Sequence, residues 1–372
     1  MEHSSTQSSP RAGNLNGEMF RLARQLRGLT QKEFSEALHA EPSTVSRVEN
    51  GVSQATADLA EKAARLLDVP IEFFRQPERP YGLPMSVHPM WRSKVAVPQY
   101  SIDQALAELN LRIMHVRRLI RSVEYEPVLP MPEIDTASVD GGPAEIASIV
   151  RRAWMMPAGP VIDLVQWIER AGCFVMYTDL PDAAMSGVTL RVPDMRPCIF
   201  VNRSMPADRI RHTLAHELGH LIMHRYPGED MEREANTFAA SLLMPAYDIR
   251  PYFAGKKIDL KLLAALKPEW RVSMQSLLYR ASSLGYVNDN QARYLWQQFN
   301  MKKLRMREPA ELDFEPEKPS LVAKLFKLHL ENLSYSVDDL ATIFAVHAPE
   351  LMRLYGVGEH GAAKRPQLRV VG

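Results

Sequence analysis

The sequence predicts a multidomain, mainly α-helical chain: a five-helix N-terminal domain, a central α+β domain with a small sheet, and a helical C-terminal region. Three observations carry that expectation. The 372 residues exceed what one domain takes, which is on the order of 100–200. Apolar residues recur at helical spacing along most of the chain, while only CFVMY, SGVTLRV and CIFVN, separated by Pro and Asp/Gly turns, read as strands. Two proline-rich stretches, Pro77 to Pro98 and EYEPVLPMPEIDTASVDGGP, divide the patterned segments.

Composition narrows the classes. A hydrophobic share of 46% with 24% charged residues is that of a chain that buries a core. A formal net charge of +1 gives no overall attraction to nucleic acid, so charge distribution has to carry any such reading. Cys173 and Cys198 are the only cysteines, too few for a disulfide framework and not spaced as a zinc pair. They fit small buried residues in a reducing cytoplasm. No window approaches the roughly 18 apolar residues of a membrane span. Residues 1–17 lack the apolar core of a signal peptide and read as a disordered tail.

Residues 18–76 form the first patterned segment. Phe20, Leu22, Ala23 and Leu26 start a helix that stops at Gly28. Thr30 to Glu33 is a capping box, and Phe34, Ala37 and Leu38 give the next helix its buried stripe. EPSTVSRVENG makes a third helix with Pro42 in its first turn, Gly51 past its end, and only Val45 and Val48 to bury. Two short helices joined by a tight turn, the second with an exposed polar face, match the design that enters a DNA major groove. Arg21, Arg24, Arg27, Lys32 and Arg47 concentrate positive charge there. The competing reading is a helical protein-interaction domain without DNA.

LTQKEFSEAL…STVSRVENG closely resembles the XRE, or lambda-repressor-like, family of DNA-binding domains over about Met19 to Phe74. The resemblance implies that Pro42, Ser43 and Arg47 face base edges of a double-stranded operator and that Gln31 contacts phosphate. It also implies that Arg24 and Glu49 form an internal ion bridge. Pro42 and Ser43 replace longer polar readers, which leaves specificity to Arg47 and DNA shape.

Residues 77–142 read as a linker containing a helix at 101–123. Ile102, Leu106, Leu109, Ile113, Val116, Ile120 and Val123 alternate by four and three, the heptad repeat of a helix seam. Such a seam pairs two chains into a homodimer or packs against the following domain.

Residues 143–255 form the α+β domain: two helices, the three strand-like runs, then RHTLAHELGHLIMH with histidines at 212, 216, 220 and 224. A spacing of four stacks side chains on one helix face, so any adjacent pair can grip an ion. A zinc hydrolase also needs a glutamate right after the first histidine to take a proton from activated water, and only His216-Glu217-Leu218-Gly219-His220 supplies it. His216 and His220 are thus the expected zinc ligands and Glu217 the catalytic base. His212 and His224 are outer donors or the exposed ends of the row. A third ligand is required. Glu232, with Asn236 one turn later as in the gluzincin peptidases, is the choice. Glu234 is the fallback, and Glu229 and Asp230 are weaker candidates.

FVNRSMPADRIRHTLAHELGHLIMH…EREANTFAASLLMP strongly resembles the ImmA/IrrE family of metallopeptidases over about Pro143 to Arg280. The resemblance implies a zincin-like fold with Zn2+ and a substrate among XRE-type repressors of stress or mobile-element genes. The leading expectation is a cytoplasmic regulator whose zinc peptidase inactivates a repressor, its own chain or a partner, with SGVTLRV or CIFVN holding an extended substrate at a sheet edge. A regulator whose peptidase-like domain senses a ligand or metal without cleaving is the alternative. A peptidase that uses the helix-turn-helix only to dock on substrates is a third. Residues 256–372 read as a helical C-terminal region, with EPAELDFEPEKPS a linker or exposed loop and GAAKRPQLRVVG a loose tail.

Overall fold

The computed structural model describes residues 15–81, 98–180, 186–226 and 228–357. These form two compact units, one from 15–81, 98–124 and 323–357, the other from 125–322. The expected tail at 1–17 lies outside the described residues except for its last three, as do Pro84, Pro89 and the C-terminal GAAKRPQLRVVG. Among the described residues no helix is long and apolar enough to cross a membrane.

The first unit opens with α1 (Gly17–Leu26), capped by Asn16 and closed at Gly28, which takes a φ of 66°. The Thr30–Glu33 capping box is fully formed and starts α2 (Gln31–Ala37). α3 (Pro42–Glu49) and α4 (Ala57–Leu67) follow, and the fifth helix is a single 3-10 turn, Ile71–Arg75. Phe20 stacks on Phe74 with ring centroids 3.9 Å apart, fastening that turn to the first helix.

α5 (Gln99–Ile120) carries the heptad pattern. Its seam residues Leu109, Ile113 and Val116 are buried, but so are Ala107, Leu111, Met114 and Leu119 off the seam. A helix buried all round is a core element. The middle of the seam of α5 is therefore buried within its own unit, while Ile102, Leu106, Ile120 and Val123 towards its ends are half-buried. The helix is not part of a linker: Gln104 Nε2 donates to Leu26 O at 3.2 Å, and Arg118 donates to Gln76 Oε1 at 2.7 Å.

The second unit begins with a packed segment where the sequence reads as a linker: Tyr125 donates to Glu169 O, and Leu129 is buried. α6 (Gly142–Ala153) and α7 (Leu164–Arg170) lead into β1 (Phe174–Thr178), β2 (Gly187–Leu190) and β3 (Cys198–Asn202). The sheet order is β1-β3-β2, with β3 parallel to β1 and antiparallel to β2. Cys173 and Cys198 are free and buried, as expected. Then come α8 (Ala207–Met223), α9 (Met231–Leu243), α10 (Ala246–Phe253), α11 (Leu260–Trp270), α12 (Met274–Ser283) and α13 (Asp289–Met301).

The acidic stretch at 308–320 corrects its reading as a linker. Glu308 is buried, pairs with Lys267 at 2.8 Å and accepts from the Met274 and Gln275 amides at the start of α12. Glu317 is buried against Arg211 and accepts from Val165 N. Glu308 and Glu317 are counter-ions to buried cations, which no local pattern reveals.

α14 (Leu321–Lys327), continued by one π turn (Leu328–Asn332), α15 (Val337–Phe344) and α16 (Ala348–Tyr355) complete the chain. From residue 323 on they belong to the first unit. The region expected as one block at 256–372 is thus shared between both units, and the peptidase-like unit extends past 143–255 on both sides. Phe344 stacks on His115 of α5 at 4.6 Å.

Candidate metal centre and nucleic-acid interface

α8 places its histidines on one face by helical geometry alone, but the third group must come from another helix. Gly219 lets α9 approach: a Cβ there would stand 3.0 Å from Phe238 Cδ1 and 3.4 Å from Ala235 Cα. Helix crossing at a glycine brings Glu232 over the histidine pair. His216 Nε2 and His220 Nε2 lie 3.0 Å apart, and Glu232 oxygens lie 3.4 and 3.3 Å from them. His216, His220 and Glu232 are the cluster of metal-capable groups among the described residues. Donor atoms at a tetrahedral zinc, with bonds of about 2.0–2.1 Å, stand about 3.3 Å from one another. The three side chains therefore fit that ion.

Each histidine is oriented from behind. His216 Nδ1 lies 3.2 Å from Asn236 Oδ1, and Asn236 donates its Nδ2 to Glu232 O at 2.7 Å. That second bond fixes the amide so that its oxygen faces His216, which makes Nδ1 the protonated nitrogen and leaves Nε2 its lone pair. His220 Nδ1 meets His224 Nδ1 at 2.9 Å, and His224 Nε2 meets Glu234 Oε2 at 2.9 Å. With His220 Nε2 kept as a lone pair, His220 donates to His224 and His224 donates to Glu234. His224 is thus a buried relay rather than an exposed end, and Glu234, the expected fallback, pairs with it and lies outside the cluster of metal-capable groups. His212, stacked 6.4 Å from His216, is held neutral by burial and by the charges of His216 and Arg209, its pKa lowered to about 4.

Electrostatics agree. Burial disfavours the Glu232 carboxylate, but with no ion between them the facing His216 and His220 rings, taken as Nε2 donors, outweigh it and hold its pKa at about 2, a stabilisation that an ion held by the Nε2 lone pairs would supply in their place. Burial also opposes charge on His216, yet Glu232, Glu217 and Asn236 raise its pKa. This is a site that calls for positive charge between its donors.

Glu217 is buried and accepts from Thr189 Oγ1 of β2 at 2.7 Å. Sequence reasoning missed Thr189, since SGVTLRV offers only an alternating strand pattern. Gly187 enables the approach: a Cβ there would meet Thr213 Cγ2 at 2.5 Å and Glu217 Cγ at 3.3 Å. CIFVN is corrected as a substrate edge, because β3 is hydrogen-bonded on both sides. β2 is the edge strand beside α8.

In the first unit α3 presents Pro42, Ser43, Thr44 and Arg47 to solvent, while Val45, Val48 and Glu49 are buried. Arg24 holds Glu49 through Nε at 2.6 Å and NH2 at 3.0 Å, the internal bridge expected. Gln31 Nε2 donates to Glu49 Oε2 at 3.0 Å, which ties this expected phosphate contact back to the scaffold.

The family described as the IrrE N-terminal-like domain matches residues 168–282, and the helix-turn-helix family matches residues 20–74. The chain joins an XRE-type helix-turn-helix to an IrrE/ImmA-like peptidase domain. No curated protein matches it significantly. The helix-turn-helix match encloses Gln31, Pro42, Ser43 and Arg47, and the IrrE-like match encloses His216, Glu217, His220 and Glu232 together with β2, β3 and the His224–Glu234 relay. The architecture is that of a DNA-binding regulator with a metallopeptidase-like domain.

Proposed function

We propose that this regulator reads a double-stranded operator through α3 and inactivates a repressor, its own chain or a partner, through a zinc peptidase centred on His216, His220 and Glu232. The observation that carries the reading is the convergence of these three donors at 3.0–3.4 Å beside a buried, hydrogen-bonded Glu217. Imidazole and carboxylate together suit zinc. The ion supplies Lewis acidity, polarising a carbonyl and making water easier to deprotonate. Glu217 takes the proton and returns it to the leaving amine. Thr189 donates to Glu217 and so aims the carboxylate. β2, with one edge free of a strand partner among the described residues, accepts a peptide in extended form. On DNA, Arg47 is the side chain with the reach and charge for a guanine, and exposed Pro42 and Ser43 contribute shape.

The test is metal content of the full chain together with cleavage of co-expressed XRE-type repressors, comparing wild type with Glu217→Ala. Stoichiometric zinc and a cleavage lost in Glu217→Ala are expected. Zinc in both with the repressor intact in both would turn the reading to a non-cleaving sensor. A chain without zinc in metal-replete medium would sink either version.

A further inference from the structure

The C-terminal helices repeat the first helix-turn-helix residue by residue. α14 with its π turn, α15 and α16 follow one another along the chain as α1, α2 and α3 do, at one constant offset. Thr30 and Ser336 each open the second helix of their set with a complete capping box, closed by Glu33 and Asp339. Before that cap Gly28 and Ser334 take φ of 66° and 57°; at the turn His39 and Ala345 take 51° and 54°. The same backbone bonds cross the turn: His39 N to Glu36 O and Ala345 N to Thr342 O, both 3.1 Å, then Ala40 N to Ser35 O and Val346 N to Ala341 O, both 3.0 Å. Buried positions coincide, Phe20 with Phe326, Phe34 with Leu340, Leu38 with Phe344, Val45 with Leu351 and Val48 with Leu354. No insertion interrupts the correspondence, and Arg47 answers to the exposed Arg353.

The differences show what the copy has given up. Gln31 and Lys32, in the first turn of α2, become Val337 and Asp338, and Thr44 becomes Glu350. Carboxylates at those places repel phosphate. Part of the face of α16 that corresponds to the reading face of α3 pairs with the first domain: Glu350 lies 3.8 Å from Arg27, and the half-exposed Arg353 lies 3.4 Å from Glu108 of α5. His347 lies 3.7 Å from Asp68 at the end of α4. The buried Arg24–Glu49 bridge is replaced by Leu330 and Tyr355. Tyr355 meets His115 Nδ1 at 3.0 Å and packs on Phe326 with ring centroids 4.6 Å apart.

We propose that residues 321–356 are a second helix-turn-helix that has exchanged DNA for protein, its third helix docking on α1 and α5 of the same chain. Each chain then holds a helix-turn-helix pair in which α3 alone reads DNA. The last clause rests on α3 as the reading helix, so the test has two arms. In the first, the full chain selects a duplex from a random 20-base-pair library, and its affinity is compared with that of Arg47→Ala and Arg353→Ala. Arg47→Ala is expected to bind at least tenfold more weakly and Arg353→Ala within twofold of wild type. A tenfold loss in Arg353→Ala, with circular dichroism unchanged, would make α16 a second DNA reader and overturn the proposal. In the second arm, amide hydrogen exchange is followed in full-length Tyr355→Ala and the milder Tyr355→Phe. Exchange in α5 around His115 is expected to quicken at least tenfold in Tyr355→Ala, less in Tyr355→Phe, with residues 125–322 unchanged. Unaltered α5 exchange in Tyr355→Ala would show that the copy is no partner for the first domain. Should wild type select no duplex, the reading of α3 fails and the exchange arm alone decides the docking.

Discussion

Glu232 and Glu234 sit two residues apart on α9 and do different work: one completes the donor set, the other ends the chain of bonds through His224 to His220. Groups placed behind a ligand typically change metal affinity about 10–100-fold when removed. Glu234→Gln should therefore weaken zinc binding by that order in a chelator competition, while Glu232→Gln should abolish it. Equal effects would mean that Glu234 is itself a ligand. The sequence points to Glu232 through its likeness to the gluzincin arrangement, with Asn236 one turn later, but His224's role depends on which way a ring at a helix end turns, and spacing does not encode that. His115 gives a second prediction at this scale. Its Nε2 is buried without a partner, and burial, then Arg118 and Arg112, lower its pKa to about 3. Unfolding frees it to titrate near 6.5, so the unfolded state binds more protons below that pH. Stability is intact above about 6.5 and falls as pH drops towards 3, by about 2 kcal/mol at pH 5 at 1.36 kcal/mol per unit. Denaturant unfolding at pH 7 and pH 5, followed by α5 exchange, measures the loss. His115→Phe should remove most of the difference.

At the scale of elements, the centre depends on two close approaches made by glycine. Ala at 219 gains about 1 kcal/mol of helix propensity. It also forces Phe238 and Ala235 outward, and overpacking costs about 1–3 kcal/mol. Gly219→Ala should be neutral to mildly destabilising in thermal unfolding yet weaken zinc binding, because α9 carries Glu232. Gly187→Ala meets stiff β-branched Thr213 and should be worse, moving β2 and with it Thr189 from Glu217; a variant with an unchanged melting temperature would refute that contact. The three strands were legible as short runs between Pro and Asp/Gly turns, within a residue or two, and the histidine helix as a stripe. α5 was legible as a helix but not as a core: a spacing of four and three looks alike whether the facing surface is a second chain or the same one. The strap at 308–320 misled for a related reason. Prolines and acids mark exposed loops on average, and the buried Lys267 and Arg211 that give Glu308 and Glu317 their places lie far off in sequence.

For the whole molecule, the decisive fact is that the helix-turn-helix unit is assembled from both ends of the described chain, with the peptidase-like unit inserted in sequence between α5 and α14. A chain stopped after Ser320 would keep His216, His220 and Glu232 and every residue matched to either family. It would nevertheless strip Phe344 and Tyr355 from His115 of α5 and remove the buried Leu351 and Leu354 from the same unit. Fully burying such an apolar side chain is worth about 1.5–3 kcal/mol, so the loss rivals the roughly 5–15 kcal/mol that holds an ordinary domain together. The truncated chain should therefore bind zinc as the full chain does while its helix-turn-helix melts at lower temperature and binds duplex more weakly, even though Gln31, Pro42, Ser43 and Arg47 are all retained. Zinc content and two-step calorimetric unfolding, measured on both chains, separate the effects. A truncated chain whose lower-melting step is unmoved would mean that residues 17–120 fold without help from the C-terminal copy.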